Sequence, residues 1–322
     1  MRIYPLKLMP IVKNAIWGGK QLSESFDIGV PGSFGAEAWM LSLRQDGQDV
    51  NIIENGCCSG MSLADYTAAV GSDAVYGKGV FPLLIKLIDA ADRLSVQVHP
   101  DDAYAAANGL GFGKTEMWYV LHAEPGASLV SGVAPGVTAA EIIKAAKDGT
   151  CEELLNVVPV KPGDCFFIPA GLVHAIGAGI VVAEIQQNSN TTFRLYDYDR
   201  TDKNGNKREL HTERAAEVIK TAFDLNGVTL NKLQSAERGT TCKTLCSCGY
   251  FTAQSLSIEA GSAASLAKDG HMLHVMCVSG RGYLEFGNVK YLIRKGDSYL
   301  LPKALPNGSV FAENALELIL SH

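Results

Sequence analysis

This sequence predicts a mainly β chain, built as a sandwich or barrel unit used twice with a few helices appended. Three observations carry that expectation. Short runs rich in Val, Ile, Leu and Phe recur between Gly and Pro turn signals. Helix-start patterns are few. One run, GDCFFIP at 163–169, returns as GDSYLLP at 296–302, as expected of one structural unit present in two copies.

Taken along the chain, the first helix is expected over 62–70, from Ser62 as N-cap to Gly71 as stop. Strands follow at FPLLIKLID (81–89), SVQVH (95–99), MWYVLHA (117–123) and ASLVSGV (127–133). The stretch 138–155 opens on Thr138 with Glu141 three residues on, a capping box ahead of an apolar run, and reads as a small helical insert. DCFFIP (164–169) and VVAEIQQ (181–187) are strands again, and 212–223 is helical. In each repeated unit Gly-Asp makes the turn, the apolar strand is buried, and the proline ends it at the mouth of the barrel. The copies then diverge: His174 stands five residues after Pro169, whereas Asn307 stands five after Pro302. Placing the boundary after the last helix gives a first domain at 1–235, which carries that histidine, and a degenerate copy at 236–322, which lacks it.

Composition narrows the function. The chain has 322 residues, 47% of them hydrophobic, so two real cores can be filled. The net charge of −6 excludes bulk electrostatic binding to nucleic acid or anionic membrane, while a few local basic residues still suffice for a small anion. The opening MRIYPLKLMPIVKNAIWGGK lacks a signal-peptide core, and no window approaches a membrane span. Eight cysteines form no regular disulfide framework, and Cys242, Cys246 and Cys248 read as thiols in and beside a strand. The expected compartment is the cytoplasm.

The chemistry concentrates in the first unit. Within SVQVHPDD (95–102), Gln97 and His99 are two apart and share one face of a strand, with Val96 and Val98 on the other. Glu116 opens the next strand and His174 follows the first proline. Two imidazoles, a carboxylate and a neutral amide oxygen make a divalent-metal site with room for water or substrate. Each has a plainer reading alone: a satisfied strand histidine, a strand-end charge, a core amide.

The GD…P units resemble the second conserved motif of cupins, small double-sheet jelly rolls. Beyond them, GAEAWMLS (35–42), FPLLIKLIDA (81–90), LSVQVHPDD (94–102), KTEMWYV (114–120), PAGLVHAIG (169–177) and EIQQNSNTTFRLYDYDR (184–200) resemble successive motifs of type I mannose-6-phosphate isomerases, in their short bacterial form. The resemblance implies two jelly-roll cupin domains and a zinc-dependent aldose–ketose isomerase that interconverts mannose 6-phosphate and fructose 6-phosphate through a cis-enediol. It implies Gln97, His99, Glu116 and His174 as ligands of one zinc ion per chain, and Arg194 as the active-site arginine. For the phosphate, Lys86, Ser95 and Arg200 match family positions lining the cleft. One departure is Thr115, where the family commonly has proline after the lysine.

The base is open between Lys114 and Glu184, with Lys114 slightly preferred. Glu37 either orients a ligand or braces the fold; Trp17, Trp39 and Trp118 read as core or cleft wall. His271 and His274, three apart on a strand, face opposite sides and are poor joint ligands, and His122 has no partner at ligand spacing. Two other classes compete. A cupin iron oxygenase would use His99, His174 and Glu116 as its triad, and a non-catalytic sugar-binding cupin would bind without turnover. The expected partner is a sugar phosphate, with a monomer as default assembly and a homodimer as the alternative.

Overall fold

In the computed structural model, which describes residues 2–322 apart from Ser33, Gln45, Asp202 and Lys203, the chain forms four antiparallel sheets. Three apolar layers separate them. The first sandwich pairs a six-stranded sheet, which includes Glu37–Leu41, Leu83–Ala90, Glu116–Ala123, Cys165–Ile168 and Ile180–Gln187, with a five-stranded one. The five-stranded sheet holds Val96–Val98, Ser128–Val133, Leu155–Pro159, His174–Ala175 and Phe193–Tyr196. Between them lie Trp17, Ile88, Trp118, Leu129, Ile176 and Val182. The second sandwich sets an eight-stranded sheet on a four-stranded one around Val275, Cys277, Leu284, Ile293, Leu301 and Leu318.

Strand alternation joins the two sandwiches. In Leu83–Ala90 and Ile180–Gln187 every position is buried, because both faces of the six-stranded sheet are covered. Ile85, Leu87, Ala183 and Ile185 face Met276, Leu300 and Ile319 of the eight-stranded sheet. Lys86, Ile88, Val182 and Glu184 have the opposite parity and face the first sandwich's own interior. The earliest strand, Leu6–Met9, lies far from its sequence neighbours. It pairs Leu6 with Leu300 and Leu8 with Ser298 in the eight-stranded sheet, and carries Ile52–Ile53 on its other edge. Residue 235 falls inside the strand Thr229–Glu237 at the far edge of that sheet.

The repeated motif is one turn made twice. Gly163 and Gly296 both sit at positive φ, 90° and 88°. In each turn the aspartate carboxylate accepts from a backbone N–H three residues back, Asp164 from Lys161 at 2.9 Å and Asp297 from Arg294 at 3.0 Å. The strands Cys165–Ile168 and Ser298–Leu301 follow.

Helix starts follow their caps. Ser62 caps Leu63–Val70, and Thr138 with Glu141 forms the capping box of Ala139–Asp148. The insert helix expected to 155 stops at Asp148, because Gly149 takes the left-handed conformation and a 3₁₀ turn, Cys151–Leu154, follows. The last helix, expected over 212–223, is Thr212–Val218 and ends where Ile219 turns extended. Both helices pack on the outer face of the five-stranded sheet, with Ile142, Ala146, Ala215 and Val218 against Val96, Val98 and Phe193.

Candidate active site

The register of the first sandwich assembles the polar residues at one end of its interior. Gln97 is directly opposite His174 on one neighbouring strand and opposite Arg194 on the other. Across the layer, Glu184 is opposite Lys86 on one side and Trp118 on the other, and Gln186 is opposite Glu116. Residues 66 to 98 positions apart in sequence therefore meet side by side, at normal cross-strand spacing.

His99, Glu116 and His174 are fully buried, and their donor atoms lie within 4.8 Å of one another, alone in this among the described residues. The two Nε2 atoms are 3.1 Å apart, and each is 3.5 Å from a different oxygen of Glu116. His174 Nδ1 donates to the Leu172 carbonyl at 2.8 Å, which leaves the Nε2 lone pair pointing inward. The Gln97 amide lies 3.4 Å from that Nε2, and rotating it presents its oxygen to the same point.

Lone pairs and a carboxylate converging in a dry interior need a cation. Here the Lys114 ammonium stands in for one, 3.0 Å from His99 Nε2 and 2.6 Å from Glu116 Oε2. It approaches the carboxylate off the hydrogen-bond direction, so both Glu116 oxygens remain without a hydrogen bond. The electrostatics agree. Burial, then Lys114, pushes His99 down to about 3, and burial lowers His174, so both imidazoles are neutral donors. Burial alone would raise Glu116, but Lys114 and His99 outweigh it and hold the carboxyl well below its ordinary value. Neutral imidazoles, an ionised carboxylate and an adjacent amide oxygen fit a divalent ion.

Above this cluster opens a cavity of about 320 Å³ with a mostly polar wall. Lys86, Ser95, Gln97, Lys114, Glu184 and Arg194 all line it. Arg194 is half-buried and donates from Nε to Ser95 Oγ at 3.2 Å and from Nη1 to the Glu209 carbonyl at 2.7 Å. Lys86 contacts Glu184 at 3.0 Å and Glu37 at 3.6 Å, while the Trp118 and Trp39 indoles donate to Glu184 and Glu37. Burial works to lower Lys86, but the two carboxylates dominate and raise it, so the ammonium stays charged.

Arg200 is not in this wall. Tyr198 and Asp199 both adopt left-handed backbone, at φ 56°, and the turn they make carries Arg200 outward. Its guanidinium is used on Asp197, Asp92 and the Arg93 carbonyl, beside the Tyr198 ring. Arg208 lines the cavity instead, held by Asp197. Sequence reasoning passed over Arg208, together with Asn190 and Thr192 on the same wall. The one available signal was the basic cluster KR at 207–208 after the TTFRLYD motif, and nothing in it gives direction.

The histidines set aside lie elsewhere. His122 pairs with Glu124 at the surface, His271 stacks on His322, and His274 is buried against Ser298 in the second sandwich. Cys242, Cys246 and Cys248 lie in or beside the strand Thr240–Ser247 and join no metal-ligand group among the described residues.

The comparisons with known proteins bear on the whole chain. The family model for the phosphomannose isomerase type I catalytic domain matches residues 5–126, and that for the mannose-6-phosphate isomerase cupin domain matches 241–322. Mannose-6-phosphate isomerase ManA of Bacillus subtilis is 38% identical over 100% of both chains. The chain belongs to the type I mannose-6-phosphate isomerase family. A second relative, the mannose-6-phosphate isomerase of Streptococcus mutans, is 35% identical over 99% of this chain and 98% of its own. The crystal structure of the B. subtilis mannose 6-phosphate isomerase superposes with a TM-score of 0.89 at 34% identity, covering 99% of each chain. A phosphomannose isomerase from Salmonella typhimurium, at 17% identity and a TM-score of 0.75, shares the fold. The protein is thus a cupin-fold isomerase of this family, which displaces the oxygenase and sugar-binding alternatives. No helix among the described residues is long and apolar enough to cross a membrane.

Proposed function

We propose that the chain is a zinc-dependent aldose–ketose isomerase that interconverts mannose 6-phosphate and fructose 6-phosphate through a cis-enediol. The observation that carries this reading is the adjacency of a buried His99–Glu116–His174 donor set to a cavity walled by Lys114, Arg194 and Arg208. Gln97, His99, Glu116 and His174 would hold the ion, which when bound supplies an electrophile for the sugar oxygens at C1 and C2.

The chain's own residues do the rest. The arginine pair suits the dianionic phosphate: burial lowers Arg194 first, and the neighbouring Arg208 adds like-charge repulsion that an anion relieves. Ser95 Oγ holds Arg194 in place and offers a directional contact. Lys114 lies between the donor set and the cavity. Once an ion takes the place its ammonium now fills, the freed amine would take the proton from one sugar carbon and return it to the other. Glu184 fits that task less well, since Lys86 and the Trp118 indole occupy its two oxygens. We assign Glu184 and Glu37 to holding Lys86 charged at the cavity wall. Arg200 serves the loop behind Asp197. The cytoplasm as compartment and a monomer as assembly complete the proposal.

The test is coupled conversion of mannose 6-phosphate to fructose 6-phosphate before chelation, after chelation and after zinc is restored. Activity that is lost with chelator and returns with zinc is the expected result. No turnover by folded, zinc-loaded protein would overturn the assignment.

A further inference from the structure

A pair of neighbouring thiols lies apart from the donor set, at the apolar layer between the six- and eight-stranded sheets. Cys57 and Cys58 are consecutive in the 3₁₀ turn Gly56–Cys58, and their sulfurs are 3.8 Å apart. Cys57 is exposed, whereas Cys58 is 3% exposed. All the cysteines are free thiols.

The turn is fixed from beneath. Tyr4 Oη donates to the Asn55 carbonyl at 2.9 Å and accepts the Cys58 N–H at 3.0 Å. The Asn55 side chain accepts from Lys7 N and donates to the Pro5 carbonyl, both at 2.9 Å. Gly56, at φ 66°, sits so close to the Tyr4 ring that a Cβ there would be 2.6 Å from it. The two thiols are therefore presented in one arrangement, with little ordering left to lose on binding.

That arrangement suits a bridging ion better than a disulfide. Adjacent residues have Cα atoms about 3.8 Å apart, below the roughly 4.4–6.8 Å that a relaxed disulfide spans. Two metal–sulfur bonds of about 2.3 Å at a tetrahedral angle place the sulfurs about 3.8 Å apart. The observed separation matches the second case.

We infer that Cys57 and Cys58 form a two-thiolate site for a thiophilic metal ion, independent of the donor set in the first sandwich. Binding a divalent ion forms two metal–sulfur bonds and releases two thiol protons to solvent, with no change of oxidation state. The exposed Cys57 side leaves the remaining coordination positions to water.

Cadmium is the probe, because its thiolate charge-transfer absorption in the ultraviolet reports sulfur bonds and is silent toward imidazole and carboxylate ligands. Reduced, full-length protein is titrated with Cd²⁺ under anaerobic conditions, alongside Cys57→Ser and Cys248→Ser. The expected result is a band that saturates with one sulfur-bound cadmium per chain, beyond any silent uptake by His99, Glu116 and His174, in the parent and in Cys248→Ser. In Cys57→Ser the apparent affinity should fall at least about 100-fold. Cys57 is exposed, so that variant keeps the fold, and a melting curve verifies it. A band that persists unchanged in Cys57→Ser, or that disappears in Cys248→Ser, would overturn the inference.

Discussion

Individual side chains here are set by what surrounds them. His274 is completely buried, and its Nε2–H donates at 2.8 Å to Ser298 Oγ, which in turn donates to the Met40 carbonyl. Burial pushes it down to about 3. Between that value and the ordinary 6.5 of an unfolded histidine, the unfolded chain binds a proton that the folded chain refuses. The stability tied to neutral His274 is whole above about pH 6.5 and is lost as pH falls toward 3, roughly 2 kcal/mol of it by pH 5. Chemical denaturation at pH 7 and 5 should show a shallower loss in His274→Asn than in the parent. Arg208 and Arg200 offer a second comparison. Arg208→Ala should raise KM for the sugar phosphate about 10- to 100-fold, the worth of a charge-assisted contact, with a smaller change in kcat. Arg200→Ala should act on stability instead, because its contacts lie behind the wall. The ligand candidates were legible because strand alternation puts Gln97 and His99 on one face whatever the rest of the fold does. Arg200 and Arg208 were not, because two consecutive left-handed residues, Tyr198 and Asp199, decide which guanidinium points inward. No periodicity encodes that.

Among the elements, turns carry more of the specification than strand interiors. Gly296 is the clearest case. At φ 88°, with a would-be Cβ 1.9 Å from the Phe26 carbonyl, it lets the turn of the second copy touch the chain entering the first. Gly296→Ala meets both the backbone penalty and a rigid backbone oxygen, and should cost about 3 kcal/mol or more, read as a fall in denaturation midpoint with unchanged slope. Gly163, its counterpart, has open space around its Cβ position, so Gly163→Ala should cost only about 1–2 kcal/mol for the left-handed backbone. Helix starts were readable from Ser62 and Thr138, since a cap is a local hydrogen bond. Helix ends were overrun. The apolar residues after Asp148 continue the pattern that the left-handed Gly149 interrupts, and Ile219 turns away to meet the five-stranded sheet.

At the scale of the molecule, the apolar layer between the six- and eight-stranded sheets makes one cooperative body of the two sandwiches. Leu6 and Leu8 are fully buried in that layer. Leu6→Ala should cost about 2–5 kcal/mol and move fluorescence and circular dichroism transitions together rather than separating them. Divergent midpoints for the two probes would show the sandwiches melting independently. The doubling of the unit was visible in GDCFFIP and GDSYLLP, yet the crossing of the first strand into the distant sheet was not. LKLM is a short apolar run with no mark of its partner. Its partner, Ser298–Leu301, lies far along the chain. A ribosome adding about 5–20 residues per second needs on the order of half a minute to make the stretch between them. Throughout that time the strand has only the two-residue Ile52–Ile53 to pair with, and its other edge stays open. The eight-stranded sheet therefore closes only once that distant segment has been made, and until then the growing chain carries an open apolar edge.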